Sequence, residues 1–195
     1  MKKITLLMLA LALMLPLAAE PYYDQGSQMF SISVGTNMPL SLSSYENGDF
    51  TTAWGPGEDK TNLTFGGFGS IDYEVFLNSY LALGGEIGYQ FNFTPGKKIL
   101  TSVPIQFKMT TIPIQTGKFD IPISLGLGFN YLSFNSFSKF TFSSTLNVGI
   151  KYFITDEWGI GLNSGIYFVP ELYSTNSKNS IFTFIPINAV VTYRH

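Results

Sequence analysis

The chain has 195 residues, of which 12% are charged and 16% aromatic; 19 are glycine and none is cysteine. Soluble domains carry about 25% charged residues, so this composition favours a protein that places apolar surface against something other than water. Eleven basic against thirteen acidic residues give a net charge of −2, which excludes the basic surface that nucleic-acid binding needs. The lack of cysteine excludes disulfides as a source of stability.

The first nineteen residues have the three parts of a secretion signal. Lys2 and Lys3 provide the charged start, residues 4–15 form an apolar run, and two small alanines precede the expected cleavage site after Ala19. The apolar run is too short for a membrane-spanning helix, which needs about 20 residues. We therefore expect residues 1–19 to be a cleaved signal peptide and residues 20–195 to form one exported domain.

Beyond the signal, apolar residues alternate with small or polar ones, which is the period of a β-strand. The connections between the segments alternate in length. Short turns fall at 77–80, 115–118 and 155–157, whereas 39–61 and 170–180 are long and polar. Outer-membrane barrels have this arrangement, with the short turns in the periplasm. The predicted strands are 28–38, 62–77, 80–93, 100–114, 119–131, 140–153, 158–169 and 181–194.

The two faces of each predicted strand differ in size as well as in polarity. In the third strand, large residues such as Leu83 and Ile87 alternate with Gly84, Glu86 and Gly88. Small polar residues fit the narrow lumen of an eight-stranded barrel, and the large apolar residues must then face lipid. The predicted fold is all-β, an eight-stranded antiparallel up-and-down transmembrane β-barrel. A soluble lipocalin-like barrel is the alternative.

Seven charged residues lie within the predicted strands, and all seven fall on the face assigned to the lumen. A lysine or arginine facing lipid at the bilayer midplane would cost about 2–4 kcal/mol. We expect four acids and three bases to form a paired network toward the periplasmic end and to plug the lumen. The alternative is a charged constriction that selects small ions. The residues are Asp72, Glu74, Glu86, Lys108, Asp120, Lys151 and Arg194.

Two further sets of residues are candidates for binding. Polar and aromatic side chains of the upper lumen could form a pocket, and aromatic residues of the 39–61 loop could contact a host or environmental partner. The pocket set is Gln90, Asn92, Asn130, Phe182 and Phe184, and the loop set is Tyr45, Phe50 and Trp54.

No residue pattern predicts catalysis. The single histidine, His195, is the last residue, so a base beside a nucleophile would need an unusual placement. The glycine-rich stretch 65–69 lacks the following helix that a phosphate-binding loop requires. We expect no enzymatic activity, no cofactor and no metal site. An outer-membrane lipid-modifying enzyme is the alternative.

The chain resembles the small bacterial outer-membrane β-barrels, namely the OmpW- and OmpX-like proteins and the OmpA transmembrane domain. The resemblance rests on the signal peptide, eight alternating strands, long loops opposite short turns, and a last strand that reaches the C-terminus. It implies outer-membrane lipid around the barrel and assembly by the barrel-assembly machinery, which recognises alternate apolar residues of the last strand. Here that signal is Ile187, Ala189, Val191 and Tyr193, with His195 in place of the usual aromatic.

Three functions are compatible with this resemblance. The one we favour is a structural or surface-interaction role of a barrel whose lumen is mostly filled by side chains. The alternatives are an OmpW-like conduit for small hydrophobic solutes and an adhesin that binds through residues 39–61. Fold alone does not decide between them.

Overall fold

The computed structural model describes residues 22–44, 50–52, 62–94, 96, 98–135, 137–171 and 180–195. The described chain is built from β-strands. No helix in these ranges is both long and apolar enough to cross a membrane. The strands are β1 (Gln28–Ser44), β2 (Phe50–Thr52), β3 (Gly66–Asn78), β4 (Leu81–Phe93), β5 (Ile99–Gln115), β6 (Phe119–Phe134), β7 (Phe137–Phe153), β8 (Trp158–Glu171) and β9 (Ser180–Arg194).

Eight of these strands form a closed antiparallel barrel. Strands β3 to β9 pair in chain order, and β1 pairs with β3 on one side and with β9 on the other. Within the described ranges, the short strand β2 pairs with the end of β1. Closure satisfies the hydrogen-bonding groups of every barrel strand, which lipid cannot do. The predicted eight-stranded antiparallel barrel is confirmed.

Several predicted loops are shorter than the sequence pattern indicated. The prediction that residues 39–61 form a single loop is wrong, because β1 continues to Ser44 opposite Ser180 and β2 pairs back onto it. Likewise, β6 and β7 continue their pairing to Phe134 and Phe137. Backbone hydrogen bonds can extend a hairpin beyond the point where apolar alternation ends, so side-chain pattern alone places these ends too early.

The barrel has two different ends. The connections β3–β4, β5–β6 and β7–β8 are short and lie with Gln28 and Arg194 at one end, which we call the turn end. The connections β1–β3, β4–β5, β6–β7 and β8–β9 lie at the other end, which we call the loop end. In outer-membrane barrels the short turns are periplasmic.

The outer surface is a belt of large apolar side chains. Ile87, Leu162 and Phe129 are exposed by 59%, 60% and 70%. An apolar surface that runs around a whole barrel is energetically favourable in contact with lipid and unfavourable in contact with water. The belt therefore excludes the soluble lipocalin-like alternative.

Aromatic pairs border this belt. At the turn end, Trp158 packs against Tyr193 with 5.0 Å between ring centroids, and Phe119 packs against Tyr152 at 4.9 Å. At the loop end, Tyr131 and Phe140 are 5.2 Å apart. Aromatic girdles at both membrane interfaces are a feature of transmembrane barrels.

Candidate functional site

The lumen contains charged residues near its middle, which we call the charge layer: Asp72, Glu74, Glu86, Lys108 and Lys151. Lys108 lies at its centre. Its Nζ atom is 2.8 Å from Asp72 Oδ1, 3.6 Å from Glu74 Oε2 and 3.6 Å from Glu86 Oε2. One buried ammonium thus faces three buried carboxylates, an arrangement that is tolerated only because the charges are close and hydrogen-bonded.

Lys151 occupies a different environment from Lys108. Its Nζ atom donates to Met29 Sδ at 3.0 Å and to Ser31 Oγ at 3.3 Å. Among the described residues it forms no ion pair, although it shares with Glu74 the wall of a cavity of about 20 Å³. The inward charges predict one paired network of four acids and three bases, whereas the structure brings only Lys108, of the three bases, into an ion pair with the carboxylates of β3.

Arg194 and Asp120 lie at the turn end, below the charge layer. Arg194 Nη1 is 3.7 Å from Asp120 Oδ2, and Nη2 donates to the carbonyl oxygen of Gly117 at 2.5 Å. The guanidinium carbon is 3.4 Å from the ring centroid of Phe153. Arg194 therefore joins β9 to the β5–β6 turn and covers an inward aromatic ring.

Tyr23, which precedes β1, completes this end of the lumen. Its ring is buried and stacks on Phe76, with 4.0 Å between centroids and an interplanar angle of 7°. The hydroxyl donates to Asp120 Oδ2 and accepts from Arg194 Nη1 at 3.2 Å. Burial and the neighbouring carboxylate raise the pKa of Tyr23 well above its ordinary value, so the hydroxyl stays a donor.

The role of Tyr23 is not among the predictions made from the sequence. Residues 22–27 lie between the expected signal peptide and the first alternating strand, and they have no periodic pattern. The available signal was the pair Tyr22–Tyr23, because two aromatic residues outside any predicted strand need a surface to cover. Together with Met29, Phe76, Ala82 and Ile112, Tyr23 forms a buried cluster that we call the floor.

Toward the loop end, the lumen is crossed by an apolar layer. Phe68 packs against Tyr167 with 5.5 Å between centroids, and Tyr167 Oη donates to Glu86 Oε1 at 2.8 Å. One fully buried tyrosine therefore connects the apolar layer to the charge layer. The layer consists of Leu63, Phe68, Leu100, Leu132, Tyr167, Val169 and Phe184.

A pocket of about 340 Å³ lies above this layer at the loop end. Its wall is mainly apolar, with a few polar groups such as Glu171. Of the five residues predicted for an upper pocket, only Phe182 lines it, and Phe184 lies in the apolar layer with its ring parallel to that of Phe182. The lining residues are Asn62, Leu63, Thr94, Leu100, Leu132, Phe134, Glu171 and Phe182.

The three predicted pocket amides lie in the barrel wall instead. Gln90 Nε2 donates to Ser102 Oγ at 2.9 Å, and that hydroxyl donates to Asn130 Oδ1 at 2.5 Å. Asn92 accepts from Asn37 Nδ2 at 2.8 Å. The bonds of Ser102 link adjacent strands, whereas the Asn37–Asn92 bond reaches from β1 past β3 to β4. Gln90 Oε1 and Asn130 Nδ2 have no hydrogen-bond partner among the described residues. The leucines that line the pocket are not among the predicted residues, because no inward face was assigned to Leu63, Leu100 or Leu132.

Other predicted residues are placed as follows. Ile187, Ala189 and Val191 are exposed on the outer face of β9, and Tyr193 contacts Trp158. The backbone of His195 pairs with Gln28. Tyr45, Trp54 and the side chain of Phe50 lie outside the described residues.

The described side chains do not form a metal centre. In the described ranges, no group of three or more His, Asp or Glu side chains could hold a metal ion. Between the apolar layer and the floor, three carboxylates share the ammonium of Lys108. Their arrangement supports packing of the interior more directly than chemistry on a bound substrate.

Comparison with known proteins adds a family match and a fold. One protein-family model matches residues 16–193. An uncharacterized protein of Treponema pallidum (strain Nichols) is 27% identical over 138 residues, which are 70% of this chain. The chain spans only 62% of the length of that relative.

Two solved structures share the architecture. Neisserial surface protein A superposes with a TM-score of 0.60 at 11% identity, covering 87% of this chain and 97% of that one. The outer-membrane protein OprG of Pseudomonas aeruginosa has a TM-score of 0.51 at 9% identity, covering 89% and 97%. Likeness at such low identity shows the fold alone.

Proposed function

We propose that this chain, which has the fold of small outer-membrane β-barrels, is an integral outer-membrane protein with a sealed lumen and a structural or surface-interaction role. Lipid surrounds its apolar belt, and its contacts with the environment are made at the loop end. Insertion depends on the barrel-assembly machinery, which recognises β9.

The observation that carries this proposal is the succession of three closures along the lumen. The apolar layer closes the loop-end side, the charge layer fills the middle, and the floor closes the turn end. An eight-stranded barrel has little more interior space than its own side chains occupy. Because Asp72, Glu74 and Glu86 face the ammonium of Lys108 between the closures, we propose no enzymatic role for these groups.

Conductance measurements test the sealed lumen. Purified, refolded protein is added to planar bilayers, with a general porin as the positive control for insertion and detection. We expect no conductance steps from this protein, because ions would have to displace the apolar layer and the floor. Reproducible steps from protein whose folded state is verified by heat-modifiable gel migration would contradict the proposal.

A second candidate function is binding and uptake of small hydrophobic solutes. It is supported by the loop-end pocket, whose volume and mainly apolar lining suit a small apolar molecule. The apolar layer beneath the pocket blocks a direct path down the lumen. Uptake would therefore require either movement of Phe68 and Tyr167 or lateral exit toward lipid.

Filling the pocket tests this candidate. Leu132→Trp adds bulk at the pocket wall, whereas Leu127→Trp adds the same bulk on the lipid-facing side of the same strand. With an environment-sensitive apolar fluorophore as probe, we expect binding to be lost in Leu132→Trp and retained in Leu127→Trp. Equal probe binding by both variants would exclude the pocket as the site.

Binding of a host or environmental partner through residues 39–61 stays a prediction. It concerns Tyr45 and Trp54, which lie outside the described residues, and Phe50, whose side chain is likewise not described. Deletion of residues 45–58 leaves the strands of the closed barrel unchanged in sequence. If cells that display this variant attach to surfaces and host cells as well as wild-type cells do, the adhesin hypothesis fails.

A further inference from the structure

Residues 22–27 contact the barrel around its circumference. The backbone N–H groups of Tyr22 and Tyr23 each donate to Gln115 Oε1 of β5, at 2.8 and 3.3 Å respectively. The Tyr22 hydroxyl donates to the carbonyl oxygen of Asp156 in the β7–β8 connection at 3.2 Å. The Tyr23 hydroxyl reaches Asp120 of β6. This short segment, which precedes β1, therefore contacts elements that are not paired with β1 in the sheet.

A turn directs these tyrosines into the barrel. Gly26 has a φ of +92°, a conformation that residues with a side chain rarely adopt. Its N–H donates to the carbonyl oxygen of Phe76, and the N–H of Phe76 donates to that of Ser27, both at 2.9 Å. The turn thus fixes the segment to β3 immediately before β1 begins, and the chain preceding the turn crosses the floor.

Arg194 connects this segment to the last strand. Its Nε donates to the carbonyl oxygen of Asp156 at 2.8 Å, Nη1 donates to Tyr23 Oη, and the guanidinium carbon is 3.6 Å from the ring centroid of Tyr22. Arg194 itself lies opposite Met29 in the β1–β9 pairing. Its contacts with both tyrosines therefore require β1 and β9 to be paired.

These contacts also join opposite ends of the chain. Tyr23 and Arg194 are separated by 171 positions in sequence. Contacts of high sequence separation require closure of a long loop and form after local hairpins. In a barrel made of successive hairpins, the pairing of β1 with β9 is the one non-local seam. The contacts between Arg194 and Tyr23 add to this seam at the turn end.

We propose that residues 22–27 are a latch, which binds the turn end only when β1 and β9 have paired and which holds that seam closed. The latch gives the N-terminal segment a role in the stability of the inserted barrel. Removing it should leave the hairpins intact and should allow the seam to open more readily. The measurable consequence is faster unfolding of the closed barrel.

Unfolding rates provide the first test. The folded fraction of refolded barrel is followed by heat-modifiable gel migration during incubation at a fixed high temperature in detergent. For Tyr23→Ala we expect unfolding to be at least about a hundredfold faster, because a fully buried aromatic ring is lost. Tyr80→Ala removes a tyrosine at the same end that is outside the latch, and we expect its unfolding rate to stay close to the wild-type rate.

A covalent staple across the seam separates a latch from general packing. Ile32 and Val191 face each other in the β1–β9 pairing, at a spacing that a disulfide can bridge. The chain has no cysteine, so Ile32→Cys with Val191→Cys gives a single disulfide. In the stapled barrel, we expect Tyr23→Ala to accelerate unfolding by less than about threefold, because the staple replaces the latch.

Tyr23→Phe is the variant to measure in the same unfolding assay if Tyr23→Ala does not fold. It keeps the stacked ring and removes only the hydroxyl between Asp120 and Arg194, and we expect unfolding about tenfold faster in the unstapled barrel. Equal acceleration in stapled and unstapled barrels would overturn the proposal, since the segment would then stabilise the floor without acting on the seam. Unchanged rates in Tyr23→Phe, or in Tyr23→Ala where it folds, would also overturn it.

Discussion

Replacing Lys108 by methionine should strongly destabilise the barrel. Methionine has nearly the same length and leaves little cavity, so the change removes the charge more than the volume. Three carboxylates within 3.6 Å of Lys108 Nζ then lose their ion-pair partner, and Asp72 also loses a hydrogen bond of 2.8 Å. Removing one partner of a buried pair costs about 3–5 kcal/mol, and we expect Lys108→Met to fall in that range.

Urea titration in detergent micelles measures this loss, with the folded fraction read from far-UV circular dichroism and gel migration. Lys118→Met is the control, because Lys118 is exposed at the turn end and should change the free energy of unfolding by less than about 0.5 kcal/mol. Adding Asp72→Asn, Glu74→Gln and Glu86→Gln to Lys108→Met should recover part of the stability, since the three uncompensated charges are then removed. If Lys108→Met unfolds at the wild-type urea concentration, the reasoning about the charge layer is refuted.

Three further substitutions test separate parts of the lumen. Lys151→Met should change the free energy of unfolding by about 1 kcal/mol or less, since Lys151 forms no ion pair with any described residue, and an effect equal to that of Lys108→Met would contradict this. Tyr167→Phe should cost about 1–3 kcal/mol in the same titration, because Glu86 loses a buried hydrogen bond. Gly84→Ala places a Cβ atom 1.9 Å from a backbone carbonyl oxygen of β3 and should lower the yield of refolded barrel. Gly69→Ala, whose Cβ would meet its nearest atom at 3.6 Å, should refold normally; equal yields would show that close strand approach is not what selects glycine.

Part of the lumen could be predicted from the sequence because strand geometry fixes which side chains share a face. Asp72, Glu86 and Lys108 fall on the face assigned to the lumen, and the structure places them together inside the barrel. Alternation with a period of two assigns each residue to a face of its strand. It does not give the height of that residue along the barrel axis relative to residues of other strands. That height depends on the tilt and stagger of the strands in the closed barrel.

The partners of individual charges could not be predicted for this reason. Lys151 and Lys108 share the inward face, yet only Lys108 reaches the carboxylates of β3 and β4, while Lys151 reaches Ser31. The residues of the upper pocket could not be predicted for the same reason. The amide of Asn92 points along the wall to Asn37, whereas Leu132 faces the pocket.

The sequence by itself determined the closed antiparallel barrel, its polar interior and the side on which the short turns lie, because period, residue size and loop length are local properties of the chain. Only the tertiary structure decided which side chains fill the turn end of the lumen. Tyr23 reaches Phe76, Asp120 and Arg194 across the barrel, and those contacts exist only because the curvature of the closed sheet brings distant strands to one end. A segment without alternation thereby becomes part of the floor, for a reason that no local pattern contains.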